Sequence, residues 1–172
     1  NILPMKTDHL GMIPIKVILL GPTNTGKTSI ISRYVSNTFP YLHDITIAID
    51  FYQKALKIQK TYIKLEIWDT FGIYSGRKQA LEFAKCADAA IFVFDISSKE
   101  SFNNLRYYIE EFKKCHSDKF YCVLLGNKKD KNKDEVDTSE AEGLANEFGM
   151  DYFCVTAVNE DGIPGINECF ET

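Results

Sequence analysis

The sequence predicts an α/β fold of three layers, in which a mainly parallel sheet of six strands carries helices on both faces and one antiparallel strand at its edge. Two observations support this prediction. Short apolar segments alternate with segments of helical periodicity along most of the 172 residues, an order typical of parallel sheets. Early in the chain, two strand-like segments are joined by the two residues Gln59 and Lys60, a turn too short for a crossover, so this pair is antiparallel.

The elements follow in chain order. We expect a mobile lead-in over residues 1–12 and one domain over residues 13–172. The predicted strands are Ile13–Leu20, Ile47–Ile58, Thr61–Trp68, Ala89–Phe94, Tyr121–Leu125 and Tyr152–Val155. The predicted helices are Ser29–Ser36, Ala80–Ala87, Ser101–Cys115, Thr138–Phe148 and a last one from Gly162. The last helix has about two turns in this sequence, so we expect that it is cut short.

The composition excludes several classes of function. The net charge is −4 and the basic residues are scattered, which argues against nucleic acid or an anionic membrane surface as the direct ligand. The five cysteines show no C-x-x-C spacing, so free thiols in a reducing compartment are favoured over disulfides or zinc, and a cytoplasmic location is predicted. No apolar stretch approaches the roughly 20 residues that span a bilayer.

A glycine-bounded loop follows the first predicted strand. Residues Gly21 to Thr28 read G-P-T-N-T-G-K-T and match the pattern G-x-x-x-x-G-K-[ST] between a strand and a helix. Gly21 and Gly26 let the backbone N–H groups surround a phosphate chain, and the following helix adds its positive N-terminus. Lys27 is expected to reach the β- and γ-phosphates, and the Thr28 hydroxyl to bind Mg²⁺. The sequence therefore predicts a nucleotide-phosphate site and the fold of the P-loop NTPases.

A second motif selects the base. Asn127 to Asp130 read N-K-K-D directly after a predicted strand. A carboxylate accepts hydrogen bonds from the N1–H and exocyclic amine of guanine, whereas adenine lacks this donor pair and would leave the carboxylate unpaired at a cost of roughly 1–3 kcal/mol. The stem of Lys128 can cover one face of the base. We interpret the charged residues from Lys131 onward as a solvated loop. The motif favours GTP and GDP over ATP.

With these motifs in place, the sequence resembles the Ras-like small GTPases, and within them the Rab family, from about Ile15 to Phe170. Three further segments carry the resemblance: Thr46–Phe51 is similar to the first switch and its following strand, Lys64–Thr70 to the strand leading into the second switch, and Ser101–Asn104 to a Rab pattern. The resemblance implies a GTP/GDP molecular switch with Mg²⁺ as cofactor, acting in vesicle trafficking.

The resemblance also implies the roles of individual residues. The implied nucleotide-binding residues are Thr23, Asn24, Thr25, Gly26, Lys27, Thr28, Ser29, Phe39, Thr46, Gly72, Asn127, Lys128, Asp130, Thr156, Ala157 and Val158. The implied metal ligands are Thr28, Thr46 and, through water, Asp69, and the implied catalytic residues are Lys27, Thr46 and Gly72. The Ala157 N–H would contact guanine O6, and Phe39 would pack against the base. The alternative for Phe39 is an ordinary loop aromatic that packs into the core.

The second switch departs from the family pattern D-T-A-G-Q-E, because residues 69–74 read D-T-F-G-I-Y. Ile73 replaces the glutamine that orients the attacking water, and it offers no donor or acceptor for that task. Phe71 adds bulk beside the γ-phosphate sensor, Thr23 and Asn24 add side chains to the phosphate loop, and Val158 replaces a lysine. We therefore expect very slow intrinsic hydrolysis. The alternative is a GTP-locked or nucleotide-insensitive scaffold that has lost switching.

The implied partners are effectors, exchange factors and GTPase-activating proteins, which would bind through Thr46–Phe51 and the Phe71–Phe83 region. Phe51, Trp68 and Phe83 match the aromatic triad that Rab proteins present to effectors, and they fit a plain core equally well. The resemblance implies that the full protein acts on the cytosolic face of endomembranes through a lipidated tail. This sequence does not show such a tail. Cys169, fourth from the end, formally resembles a prenylation site, but its helical spacing favours packing.

Overall fold

The computed structural model describes residues 7–40, 48–116, 120–131, 133–159 and 162–172. Within these ranges the strands are β1 (Ile13–Leu20), β2 (Asp50–Ile58), β3 (Thr61–Asp69), β4 (Ala89–Asp95), β5 (Tyr121–Asn127) and β6 (Asp151–Cys154). The α-helices are α1 (Lys27–Ser36), α2 (Arg77–Ala84), α3 (Lys99–Cys115), α4 (Thr138–Phe148) and α5 (Ile163–Glu171), and a short 3₁₀ helix over Tyr74–Gly76 precedes α2.

The strands form one sheet in the order β2-β3-β1-β4-β5-β6. All neighbouring pairs are parallel except β2 and β3, which are antiparallel and place Ile58 opposite Thr61. The turn between them contains Gln59 with a positive φ of 55°. The predicted six-stranded sheet, mainly parallel with one antiparallel edge strand, is therefore confirmed.

Helices cover both faces of the sheet, as the apolar character of β1 predicts. Successive side chains of a strand point to opposite faces, so Ile18 and Leu20 pack in a cluster with α2, α3 and α4. Val17 and Leu19 pack in a second cluster with α1 and α5. The three layers place β1, and the loop that follows it, at the centre of the domain.

One predicted helix is displaced. Helix α2 covers Arg77–Ala84 rather than Ala80–Ala87. The prediction was wrong because Ala87 is apolar for a different reason: it is buried in a turn after the helix and donates its N–H to Ala84 O at 2.9 Å. Strand β2 begins at Asp50, whereas Ile47, where the strand was predicted to begin, lies outside the described residues.

Other features concern the chain ends and the membrane. In the described part of the lead-in, the carboxylate of Asp8 accepts hydrogen bonds from the backbone N–H groups of Leu10 and Met12. The mobility of residues 1–12 stays a prediction.

Cys169 is buried in the cluster beneath α5, as its helical spacing indicated. None of the described helices is long and apolar enough to cross a bilayer.

Candidate nucleotide-binding site

Three strands end in a polar residue at the same edge of the sheet. Asp69, Asp95 and Asn127 are the last residues of β3, β4 and β5, and the loop Gly21–Gly26 follows β1, which lies between β3 and β4. Because the carboxyl ends of parallel strands meet at one edge, these groups converge. This edge carries the candidate site.

The glycines of the phosphate loop are required by close contacts. A β-carbon on Gly21, whose φ is 150°, would lie 2.2 Å from Val93 O on β4. A β-carbon on Gly26, whose φ is 92°, would lie 2.3 Å from Asn127 Nδ2. Both positions have backbone conformations that other residues rarely adopt. The two glycines therefore bring the loop against β4 and against the residue predicted to bind the base.

Lys27 lies at the first position of α1, with its ammonium folded onto the loop. Its Nζ donates to Gly21 O and to Pro22 O, both at 2.9 Å, and only 6% of the residue is exposed. Burial lowers the pKa of Lys27 to about 8, and the charge of Asp69 partly opposes this shift. The ammonium stands where it can exchange loop carbonyls for phosphate oxygens.

Thr28 and Asp69 form a pair beside Lys27. The Thr28 hydroxyl donates to Asp69 Oδ2 at 2.5 Å, while Asp69 Oδ1 is buried without a hydrogen-bond partner. Burial raises the pKa of Asp69, and the hydrogen bond from Thr28 opposes this shift. A hydroxyl and a carboxylate oxygen are the ligands that Mg²⁺ prefers, so these residues fit the ion. Thr46, the other predicted ligand, lies outside the described residues.

The predicted base-binding residues also lie together. Asn127 Nδ2 donates to Thr25 O at 2.9 Å, whereas Asn127 Oδ1 is buried without a partner. Asp130 Oδ1 accepts a hydrogen bond from the Thr156 hydroxyl at 2.5 Å. Lys128 contacts Asn24 O of the phosphate loop. The N-K-K-D segment is thus joined both to the phosphate loop and to the loop after β6.

These residues enclose a cavity of about 480 Å³, within the range of small-molecule sites. Nine of the predicted nucleotide-binding residues line it: Asn24, Gly26, Ser29, Phe39, Asn127, Lys128, Asp130, Ala157 and Val158. Thr25 and Thr156 are buried and form hydrogen bonds with the lining residues Asn127 and Asp130. Thr23 is exposed, and its N–H donates to Gly72 O at 3.1 Å.

Three residues of the site had no role in the sequence prediction. Lys131 is exposed, as interpreted from the sequence, but it also lines the cavity and contacts Asp95 Oδ2 at 3.1 Å and Ser97 Oγ at 2.9 Å. Asp95 also pairs with Lys128 at 2.9 Å. Arg33 contacts the loop after β6, and its only signal in the sequence is a charge among the apolar residues of α1. Asp95 had the stronger signal, since it directly follows an apolar strand.

The second switch contains a bulky aromatic ring at Phe71. The ring is buried (5% exposed) and packs against Gly76, where a β-carbon would lie 1.9 Å from Phe71 Cε2. Phe71 therefore fills the space beneath the 3₁₀ helix, and its effect on the neighbouring Gly72 stays a prediction. Ile73 is half-buried.

The aromatic triad lies partly at the surface. Phe51 is 52% exposed and Phe83 is 40% exposed. Their ring centroids lie 6.4 and 5.6 Å from that of Trp68. The alternative of a plain core is wrong for Phe51 and Phe83, whereas Trp68 between them is partly buried and packs against the core.

The fold and the site define an α/β nucleotide-binding domain with a P-loop and a guanine-type base motif. The family model of the Ras family matches residues 16–172. The chain is also similar to the Ras-related protein RABE1e of Arabidopsis thaliana, with 32% identity over 151 residues, which cover 87% of this chain and 69% of that protein. The chain belongs to the Ras family and is a Rab-like, GTP-binding small GTPase. Proteins of this family bind GTP, GDP and Mg²⁺ and act with regulators and effectors.

Proposed function

We propose that this domain is a Rab-like GTP/GDP switch in vesicle trafficking, with very slow intrinsic GTP hydrolysis. One observation carries the binding part of the proposal. Asn127 Oδ1 and Asp69 Oδ1 are buried without hydrogen-bond partners, and burying such an atom unpaired is unfavourable by about 1–3 kcal/mol. Guanine beside Asn127 and a hydrated Mg²⁺ beside Asp69 would supply the missing partners.

Different residues of the chain would bind different parts of the nucleotide. Asp130 would accept from the base, the Ala157 N–H would donate to O6, and the Phe39 ring would pack on the base. Lys27 and the loop N–H groups would hold the phosphates. Thr28, Thr46 and Asp69 would hold Mg²⁺, which when bound neutralises phosphate charge.

The rate of hydrolysis depends on how the attacking water is positioned, because positioning and electrostatic stabilisation are nearly all that a protein contributes to phosphoryl transfer. Ile73 can neither accept from a water molecule nor donate to it. The Gly72 N–H would still sense the γ-phosphate, so the domain retains a state-dependent contact while it lacks the water-orienting group. A partner protein would then supply that group in trans.

The exposed rings of Phe51 and Phe83, which both contact the partly buried Trp68, support an effector surface. In the Rab family such a surface serves membrane trafficking through proteins that recognise the GTP state. Effector, exchange and activating proteins would bind through Thr46–Phe51 and the Phe71–Phe83 region. We further propose a cytoplasmic location, with the full-length protein on endomembranes.

A second candidate function is a nucleotide-insensitive scaffold, and a specific contact favours it. Phe71 is packed beneath Gly76, and Gly72 O accepts from the Thr23 N–H. The second switch is therefore held by contacts within the protein. If these contacts persist in both nucleotide states, the surface available to partner proteins would be the same with GDP and with GTP.

Single-turnover GTP hydrolysis by the parent and by Ile73→Gln tests the proposal. We expect the parent to be nearly inert and the variant to gain at least about tenfold, equal to about 1.4 kcal/mol of barrier. Ile73→Leu, which lacks polar groups, is the matched control and should stay inert. A parent rate as high as that of Ile73→Gln would contradict the proposed defect. Identical proteolysis of Phe71–Lys78 with GDP and with a non-hydrolysable GTP analogue would favour the scaffold.

A further inference from the structure

Arg33 connects helix α1 to the loop that follows β6. The residue lies in the last turn of α1, six residues after Lys27, and is 8% exposed. Its Nε donates to Ala157 O at 3.0 Å and its Nη2 donates to Val158 O at 2.9 Å. The planar guanidinium thus holds two successive carbonyl groups, a geometry that an ammonium cannot reproduce.

The same guanidinium also contacts the segment that leads to Phe39. Arg33 Nη1 donates to both Asn37 O and Asn37 Oδ1 at 3.2 Å. Asn37 caps α1 in a left-handed conformation, with φ of 52°, and lies two residues before Phe39. Phe39 and Ala157 both line the cavity. Arg33 therefore fixes two parts of the cavity wall relative to each other.

The acceptors of Arg33 are neutral, which is unusual for a buried cation. Its hydrogen bonds go to backbone and amide oxygens, and none of the ion pairs found among the described residues includes it. A buried charge is tolerated when hydrogen bonds satisfy it, and here they require these carbonyls to stay in place. A helix C-terminus adds a favourable dipole.

Hydrogen bonds to its backbone hold the loop after β6 in position. Val158 is 47% exposed and has no polar side chain to bind a ligand or a neighbour. On the N-terminal side, Thr156 Oγ1 binds Asp130 and accepts from the Val158 N–H at 3.2 Å. On the C-terminal side, Arg33 holds both carbonyls. These contacts together determine where the Ala157 N–H points.

We infer that Arg33 is a positioning residue for the guanine base: it aims the Ala157 N–H at O6 and sets how long the nucleotide stays bound. This role rests on the proposed function, because it requires guanine in the cavity. Arg33 itself does not line the cavity, so it acts through the loop and through the segment that carries Phe39. Its loss would weaken the base contacts and leave Lys27 and the phosphate loop intact.

The test measures the dissociation of fluorescently labelled GDP from the full chain after addition of excess unlabelled GDP. Arg33→Gln should release GDP at least about tenfold faster, because it removes the charge-assisted hydrogen bonds that hold both loop carbonyls. Arg33→Lys keeps the charge but reaches one carbonyl, so an intermediate rate is expected. It also serves as the test variant if Arg33→Gln does not fold. Lys54→Met is the matched control, because Lys54 Nζ also holds an α1 carbonyl, Tyr34 O at 2.7 Å, away from the cavity.

A second ligand separates positioning of the base from general loosening. In 6-thio-GDP a sulfur atom, which is a weak acceptor, replaces O6. In the parent this replacement should speed release, and in Arg33→Gln the difference between the two ligands should shrink. An unchanged difference, or a dissociation rate equal to that of the parent, would overturn the role of Arg33. Failure of the parent to bind GDP at all would instead overturn the proposed function.

Discussion

The ring of Phe71 occupies the position that a β-carbon on Gly76 would need, since the two atoms would lie 1.9 Å apart. Gly76 has φ of −93° and ψ of −4°, an ordinary conformation for any residue, so the backbone does not require glycine there. The bulky residue at position 71 and the missing side chain at position 76 are therefore complementary. The departure from the family pattern at Phe71 is accommodated within the same switch.

This complementarity predicts a non-additive pair of substitutions. Gly76→Ala should lower the free energy of unfolding by about 1–3 kcal/mol, because the methyl group overpacks the site. Phe71→Ala should lower it by about 3–5 kcal/mol, because the buried ring leaves a cavity. In the Phe71→Ala background, Gly76→Ala should be neutral or stabilising. Urea unfolding of the four proteins measures the coupling, and additive effects would show that ring and glycine do not compete for space.

The hydrogen bond from Thr156 to Asp130 predicts a binding defect without loss of the fold. Thr156→Val keeps the shape of the side chain but removes the hydroxyl that orients the carboxylate and accepts from the Val158 N–H. GDP affinity should fall about tenfold, as expected for a lost hydrogen bond to a charged group. Thr156→Ser, which keeps the hydroxyl, is the control and should bind as the parent does. Calorimetric titration with GDP measures both, and equal affinities would show that Asp130 needs no such support.

The ion pairs of Asp95 with Lys128 and Lys131 predict a pH-dependent contribution to stability. Burial alone would raise the pKa of Asp95, but hydrogen bonds from Ser97 and Lys128 lower it overall. A carboxylate with a lowered pKa stabilises the folded state above the ordinary value of about 3.9 and loses that contribution as the pH falls through the folded pKa. The difference in unfolding free energy between the parent and Asp95→Asn should therefore shrink below about pH 4.

Urea unfolding between pH 3 and 6 measures this difference. Asp134→Asn, at an exposed position, is the control and should differ little from the parent at any pH in this range. A difference for Asp95→Asn that stays constant down to the lowest pH would mean that the carboxylate is not stabilised by its partners.

The sequence predicted those features that depend on neighbouring residues. The strands, the glycine-bounded loop and the N-K-K-D segment are contiguous, so their period and spacing are readable directly. The contacts of Arg33 with Ala157 and Val158 join residues 124 and 125 positions apart, and no local sequence pattern predicts them. The ion pair of Lys131 was missed for the same reason, because its partner Asp95 lies 36 positions earlier. Helix α2 was displaced because burial in a turn and burial on a helix leave the same apolar signal in Ala87.

The length of helix α1 fixes the spacing of Lys27 and Arg33. Lys27 stands at its first residue and Arg33 lies six residues later, which separates them by about 9 Å along the axis. The helix therefore fixes the distance between Lys27, which is predicted to bind the phosphates, and Arg33, which we infer positions the base. Insertion of one residue between them would rotate Arg33 by about 100° around the axis and carry it away from both carbonyls. The length of this helix therefore limits which insertions and deletions the domain tolerates, and this limit cannot be assigned to any single side chain of the site.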